Sequence, residues 1–332
     1  MLTNYQSRKP SWQHTLSGEI TCVGRGLHSG QRVCLRLRPA PPDSGIRFVR
    51  TDVSSDRRVV PAHWHYLVES ELCTMLANEH GVTVGTVEHL LAALHGCEID
   101  NAVIELDGPE VPIMDGSAAP FVLLLQQLGS VRQSEPRRAL FITRPVVASE
   151  SDRYAVMLPG VQARMTIEID FPSPAIGRQR YALALNPDSF AREIAPARTF
   201  GFAHELQALR DRGLAVGGSL RSAILIDGPN IVNEEGLRFP DEFARHKLLD
   251  CVGDLALLGM PVVGHLVAHK PGHRLCHQLL RALESATDAS SLITLDGDAP
   301  QAATVTAATS LDESAVPAWR ATGSGPNTGD TP

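Results

Sequence analysis

The stretch EFARHKLLDCVGDLALLG, residues 242–259, decides how the rest of the chain is read. It has the spacing of a helix, and His246, Asp250 and Asp254 recur along it at intervals of four. Four-residue steps stack side chains on one face, about 40° apart around the axis. The remainder is apolar: Leu248, Leu249, Val252, Leu255, Leu257 and Leu258 leave little room for a solvated face. Charged groups in such surroundings must be paired or bound to a metal. An imidazole and carboxylates aligned on a buried helix therefore ask for a partner.

Outward from this helix the chain alternates strand and helix patterns. RVCLRLRPA sets Val33, Leu35 and Leu37 against Arg36 and Arg38, the period of a half-buried strand, and DNAVIELDG repeats it. Between them TVEHLLAALHG reads as a helix with Thr86 as N-cap and Gly96 past its end. SAAPFVLLLQQLG repeats that design before the polar, charged linker expected over residues 131–138. A second round follows: strands at YAVMLPG, ARMTIEIDFP and RQRYALAL, the helix at 240–259, a strand at 262–268 and a helix at 274–284. Two such rounds predict an α+β fold in two similar halves, residues 14–130 and 139–290, after a flexible leader at 1–13. The Ala-, Thr-, Ser- and Gly-rich end from 291 to 332 predicts a disordered tail.

Composition narrows the function classes. Hydrophobic residues make up 43% and charged residues 20%, ordinary for a soluble globular protein. A net charge of -7 gives no support to nucleic-acid binding as the main role. The six cysteines are scattered without a CxxC pair, which suits a reducing compartment. The first residues lack the apolar core of a signal peptide, and the greasiest stretch, 255–268, is interrupted by Gly259, Pro261 and Gly264. A cytoplasmic protein is expected, without a membrane span and with at most transient contact with a membrane surface.

The candidate chemistry centres on the helix. His246 and Asp250 could bite one metal ion, although such a pair by itself is more often a surface hydrogen bond. A catalytic zinc takes three protein ligands and an open position. TVEHLL offers His89 as the third, with Glu88 beside it as a general base, unless Glu88 only favours the positive end of its helix. His273, just after Gly272, could be held in its charged form by Asp254 and act as an electrostatic stabiliser or proton donor.

Six blocks carry a resemblance to a known family: GRGLHSG, TVEHLLAALHG, IDNAVIELDGPEVPIMDGSAAPF, ARTFGF, LRFPDEFARHKLLDCVGDLALLG and KPGHRLCHQLL. In this order they resemble the UDP-3-O-acyl-N-acetylglucosamine deacetylases of lipid A biosynthesis. The resemblance implies two α+β domains, each a β-sheet packed on helices with a small insert, and an active site between them. It implies one catalytic zinc on His89, His246 and Asp250, and Glu88 as general base. Asp254 and His273 match the second acid–base pair, and Thr199 matches the hydroxyl near the reacting carbonyl. Lys247 matches a basic substrate contact and His28 a further active-site histidine. Phe200, Gly218, Ser219, Ala223 and Leu225 fall in the insert that takes the acyl chain, and Cys73 falls in the first insert. The implied partner is the acylated UDP-amino-sugar substrate, on a monomeric protein. The same metal set acting on another amide, or a scaffold that binds without catalysis, are the competing readings; a retained Glu88 speaks against the second, since binding alone needs no base.

Overall fold

Strict alternation in the first half builds a five-stranded sheet. Strand Arg32–Pro39 buries Val33, Leu35 and Leu37 completely while Arg36 stays exposed. The sheet runs in the order Ile20–Arg25, Arg32–Pro39, Ala102–Leu106, Ile46–Arg50, Val59–Pro61. All its neighbours are antiparallel except Ile46–Arg50 with Ala102–Leu106, where Phe48 lies beside Ile104. The computed structural model describes residues 11–295.

The second half is organised around one strand, Val262–His269. It pairs antiparallel with Arg153–Leu158 on one side and parallel with Ala163–Asp170 on the other. Its first residues also meet Arg138–Ile142, completing a seven-stranded sheet with Val146–Glu150, Arg178–Ala184 and Ser290–Thr294. Each half also carries a small three-stranded sheet. One is Leu67–Val68, Met75–Ala77 and Thr83–Val84; the other is Phe200–Phe202, Ile224–Asp227 and Asn230–Ile231.

Five helices of eight or more residues complete the described fold: α1 (Glu88–Gly96), α2 (Ala119–Leu128), α3 (Ala203–Asp211), α4 (Glu242–Leu255) and α5 (His273–Ser285). Helix α4 packs on α1, on α5 and on strands Ala163–Asp170 and Arg178–Ala184. It continues as a 3-10 turn, Ala256–Leu258, and stops at Gly259 in the left-handed region. The α+β class read from the sequence is therefore the class observed.

Several local expectations are corrected. Thr86 is not a helix cap: its φ is +56° and its hydroxyl donates to Glu110 Oε1 at 2.9 Å, while Val87 occupies the capping position. Gly96 is the last residue of α1 and not past its end; a Cβ there would come within 2.2 Å of the Phe190 ring, so this glycine permits close packing. The expected linker is largely a strand: Ser130–Pro136 pairs antiparallel with Trp12–Leu16. Its side chains are mostly exposed on both faces, so its composition looked like that of a solvated linker although its backbone is paired. Trp12 and Gln13 leave the expected leader for the same reason, and Ser290–Thr294 takes the start of the expected tail by pairing with Arg138–Ile142. The rest of the leader, 1–10, and of the tail, 296–332, lies outside the described residues.

The contact between α1 and α4 has no slack at Gly253. A Cβ there would sit 2.0 Å from the Glu88 carbonyl oxygen and 2.9 Å from its Cα. Backbone cannot yield as a flexible side chain can, so Gly253→Ala should force the helices apart. We expect the unfolding free energy to fall by about 1–3 kcal/mol, with activity lost beyond that explained by unfolded protein. Urea unfolding and a specific-activity measurement on the folded fraction check this; wild-type values in both would show that the helices separate freely.

Candidate metal centre and its acid–base partners

The aligned face of α4 is buried as its leucines require: His246, Asp250 and Asp254 are 1%, 5% and 0% exposed. Asp250 Oδ1 lies 3.4 Å from His246 Nε2 and 3.6 Å from His89 Nε2, the latter carried in by α1. The two rings meet edge to face with centroids 5.0 Å apart. One ligand atom from each of the three residues lies within 4.8 Å of the others.

The protonation states of His246 and Asp250 fit a divalent ion, which takes neutral imidazoles and ionised carboxylates. Burial drives the His246 pKa down to about 3, so the ring is neutral. Its Nδ1 lies 3.0 Å from the Ala197 carbonyl oxygen, which can only accept; the proton is therefore on Nδ1 and Nε2 keeps its lone pair. Burial alone would raise Asp250, but His246 and Lys247 outweigh it and hold the carboxyl well below its ordinary range. Lys247 Nζ donates to Asp250 Oδ2 at 2.9 Å, leaving Oδ1 toward the imidazoles.

A second cluster adjoins the first. Glu88 opens α1, is 3% exposed, and accepts the Thr74 amide on Oε2 at 3.0 Å. Burial raises its pKa, against the pull of His273, whose Nε2 is 3.7 Å from Oε1. His273 opens α5 and donates from Nδ1 to Asp254 Oδ2 at 2.9 Å. Burial, and the positive end of its helix, oppose a charge on this ring. Asp254 overrides them and raises the His273 pKa to about 10. A carboxyl and an imidazolium thus stand side by side next to the three residues that could hold a metal ion.

Comparison with known proteins bears on this geometry. The sequence pattern of the UDP-3-O-acyl N-acetylglycosamine deacetylases matches residues 13–285. The chain belongs to this family. It is 51% identical over 273 residues to a UDP-3-O-acyl-N-acetylglucosamine deacetylase of Myxococcus xanthus, covering 82% of this chain and 86% of the relative. A protein of the same name from Syntrophotalea carbinolica is 45% identical, over 85% of this chain and 91% of its own length. Another from Shewanella oneidensis is 44% identical, over 89% and 97%. Membership makes the chain a deacetylase, and hence a hydrolase. No helix among the described residues is long and apolar enough to cross a membrane.

The remaining residues expected of a deacetylase are distributed around the two clusters. The segment before strand Phe200–Phe202 supplies Ala197 to His246, and Thr199 is pinned there by Thr199 N to Gly116 O and Ile224 N to Thr199 O, both 2.8 Å. The Phe200 ring stands 6.2 Å from His246 and 5.4 Å from Lys247 Nζ. Leu225 sits opposite Gly201 in the small sheet, and Ala223 is tied to Asn233 Nδ2 at 3.0 Å. Gly218 and Ser219 belong to the turn before it, which the Gly217 amide joins to the Leu27 carbonyl next to His28. His28 and Cys73 line a separate cavity of about 480 Å³ with Glu110, Arg212 and Leu214, formed where the two inserts meet. Burial lowers the His28 pKa and pushes the Cys73 thiol up to about 11, so both face that cavity uncharged at neutral pH. Gly218, Ser219, Ala223 and Leu225 do not line it.

Three contributors went unread in the sequence. Arg198, 2% exposed, donates from Nε to the fully buried Glu242 at 2.9 Å and clamps the ARTF segment to the start of α4. Thr74 gives its amide to Glu88 and its hydroxyl to Asp254, at 2.5 Å. His277 lies 3.2 Å from the same hydroxyl. Only His277 had a local signal, its four-residue spacing from His273. For the trio itself, Asp250→Ala should cut bound metal and turnover together, since three ligands are the working minimum of a catalytic site. Metal analysis beside an activity assay decides it: full metal content with normal turnover would remove Asp250 from the site.

Proposed function

We propose that this chain hydrolyses the N-acetyl group of UDP-3-O-acyl-N-acetylglucosamine, giving UDP-3-O-acyl-glucosamine and acetate, with one zinc ion as cofactor, in lipid A biosynthesis. The supporting observation is the convergence of two buried imidazoles and an ionised carboxylate beside a buried carboxyl and an imidazolium. The printed names of the relatives supply the substrate. We take the protein as cytoplasmic and monomeric, with halves at residues 14–130 and 139–290.

His89, His246 and Asp250 would hold the zinc, which when bound supplies Lewis-acid polarisation of the amide carbonyl and a more acidic water. Glu88 accepts the proton of the attacking water as the new C–O bond forms. Protonated His273, fixed by Asp254, and the Thr199 hydroxyl meet the negative charge that develops on the carbonyl oxygen. The C–N bond then breaks as a proton reaches the leaving nitrogen from Glu88 or His273, 3.7 Å apart, so the products are the free amine and acetate. Lys247 meets the diphosphate or sugar. The insert carrying Phe200, Gly218, Ser219, Ala223 and Leu225 takes the acyl chain, while His28 and Cys73 contact substrate from the first half.

Acetate release from the acylated nucleotide sugar, set against non-acylated and unrelated N-acetyl sugars, tests the substrate; equal rates on all of them would sink the assignment. Glu88→Gln keeps size and polarity but cannot take the proton. We expect zinc content to be retained and kcat to fall about 10²–10⁴-fold. Metal loss with unchanged turnover per zinc would instead make Glu88 structural.

The pH profile follows from the raised His273 pKa. The active form has His273 protonated and Glu88 ionised, so activity rises as pH climbs through the burial-raised Glu88 value and falls as pH rises through the His273 value, giving a bell in kcat/KM. Asp254 is what raises it, so Asp254→Asn should move the basic limb of kcat/KM toward the ordinary histidine value of about 6.5. His273→Gln should lower the plateau and abolish that limb. A basic limb left in place in both variants would assign the ionisation to another group.

A further inference from the structure

His277 lies one turn beyond His273 on α5, with ring centroids 6.2 Å apart. Its Nε2 is 3.2 Å from Thr74 Oγ1 and 3.6 Å from Asp254 Oδ1. Thr74 is fully buried, so its single hydroxyl proton must go to one of three neighbours. These are Asp254 Oδ1 at 2.5 Å, His273 Nδ1 at 3.1 Å and His277 Nε2 at 3.2 Å. The nearest and only ionised acceptor is Asp254. A hydroxyl has one proton and two lone pairs, so once the proton is on Asp254 the oxygen can only accept from the two imidazoles. His277 must then present N–H from Nε2. We infer that His277 is a positioning residue of this active site, holding the Thr74 hydroxyl on Asp254 and thereby setting the orientation and acidity of His273.

The alternative arrangement shows why the lock matters. If the Thr74 hydroxyl turned to donate to His273 Nδ1, it would stabilise the deprotonated ring, the form that cannot serve as an acid. With His277 donating into the Thr74 oxygen, that rotation loses a hydrogen bond. The Thr74 amide meanwhile holds Glu88 Oε2, so the same residue carries both the base and the counterion of the acid. Among the described residues, the ionisable groups within ion-pair or hydrogen-bond distance of either imidazole are Asp254 from α4 and Glu88 from α1. Of the other elements packed on α5, strand Val146–Glu150 brings Glu150, which pairs with Arg274. The turn Trp64–Tyr66 brings His65, which stacks on Trp64.

The inference rests on the proposed role of protonated His273, so its test reads that ring directly. Imidazole NMR of the zinc-loaded protein follows the His273 titration in wild type, His277→Phe and His277→Gln. His277→Phe removes the donor, and the His273 pKa should fall by roughly half to one unit, the scale of one hydrogen bond. Turnover at the basic edge should drop about 3–10-fold with KM unchanged. His277→Gln, whose amide can replace the Nε2 donor, should restore both, and Thr74→Val should reproduce the loss if His277→Phe folds poorly. An unmoved His273 titration in folded, metal-replete His277→Phe overturns the inference. An upward shift overturns it too, because His277 would then act as a repelling charge. If the titration moves while the basic limb stays put, the positioning role stands and the role given to His273 in catalysis fails.

Discussion

The site depends on backbone touching backbone at one place. Gly253 lets α4 lie directly on the first turn of α1, so close that no side chain fits between Gly253 and the Glu88 carbonyl. Asp250, three residues before, and Asp254, one residue after, flank that contact. Glu88 and His89 open α1 on its other side. Two helices at an ordinary separation of about 8–10 Å would put larger side chains between these groups. Here the glycine removes that layer, and the first half of the chain delivers Glu88 and His89 into a face built by the second.

Such closeness concentrates charge. Glu88, Asp250 and Asp254 are three carboxyls with almost no solvent, and their cationic company is Lys247 and His273. If all are ionised, the carboxylates exceed the cations by one, and buried charge without a partner is among the costliest features a fold can hold. With Lys247 on Asp250 and His273 on Asp254, the excess falls at Glu88, next to the two imidazoles of the trio. A divalent cation between the imidazoles and Asp250 answers that imbalance and would also ease the ionisation of Glu88, whose pKa burial raises. Two histidines on the helices differ in the outcome: burial keeps His246 neutral although Asp250 and the Ala197 carbonyl favour its charged form, whereas Asp254 outweighs burial and holds His273 charged.

How far the sequence could be read follows the range of the interactions. The α4 face was legible because its three polar residues repeat at helical spacing within an apolar run, and the strands with strict alternation were legible for the same local reason. Ser130–Pro136 was not, since a ribbon exposed on both faces has no apolar side to declare it. Glu242 stood inside the very stretch that was read, yet its significance needs Arg198, 44 residues earlier. Thr74 is 180 residues from Asp254, and neither its amide nor its hydroxyl leaves a mark on the local pattern. The resemblance to the deacetylases names His89, His246 and Asp250 together, and the fold brings them within reach of one another, but residues outside its quoted blocks, Thr74 among them, leave no such mark in the sequence.

The layering of the site also explains why its two clusters should respond differently to change. The trio draws its residues from two helices held by the Gly253 contact, so its geometry is a property of the packing between halves. The Asp254–His273 pair sits between α4 and α5 and depends on a hydroxyl from a loop of the first insert. The candidate metal trio and the Asp254–His273 pair therefore rest on separate packing contacts that share α4 as a common wall. Thr74 reconnects them, since its amide fixes Glu88 against the trio and its hydroxyl fixes Asp254 under the imidazolium. A displacement of that one backbone segment would loosen the base and the acid together while leaving the ligands in place. The two clusters are thus held from two directions, the candidate metal trio by helix packing and the Asp254–His273 pair and Glu88 by a single threonine.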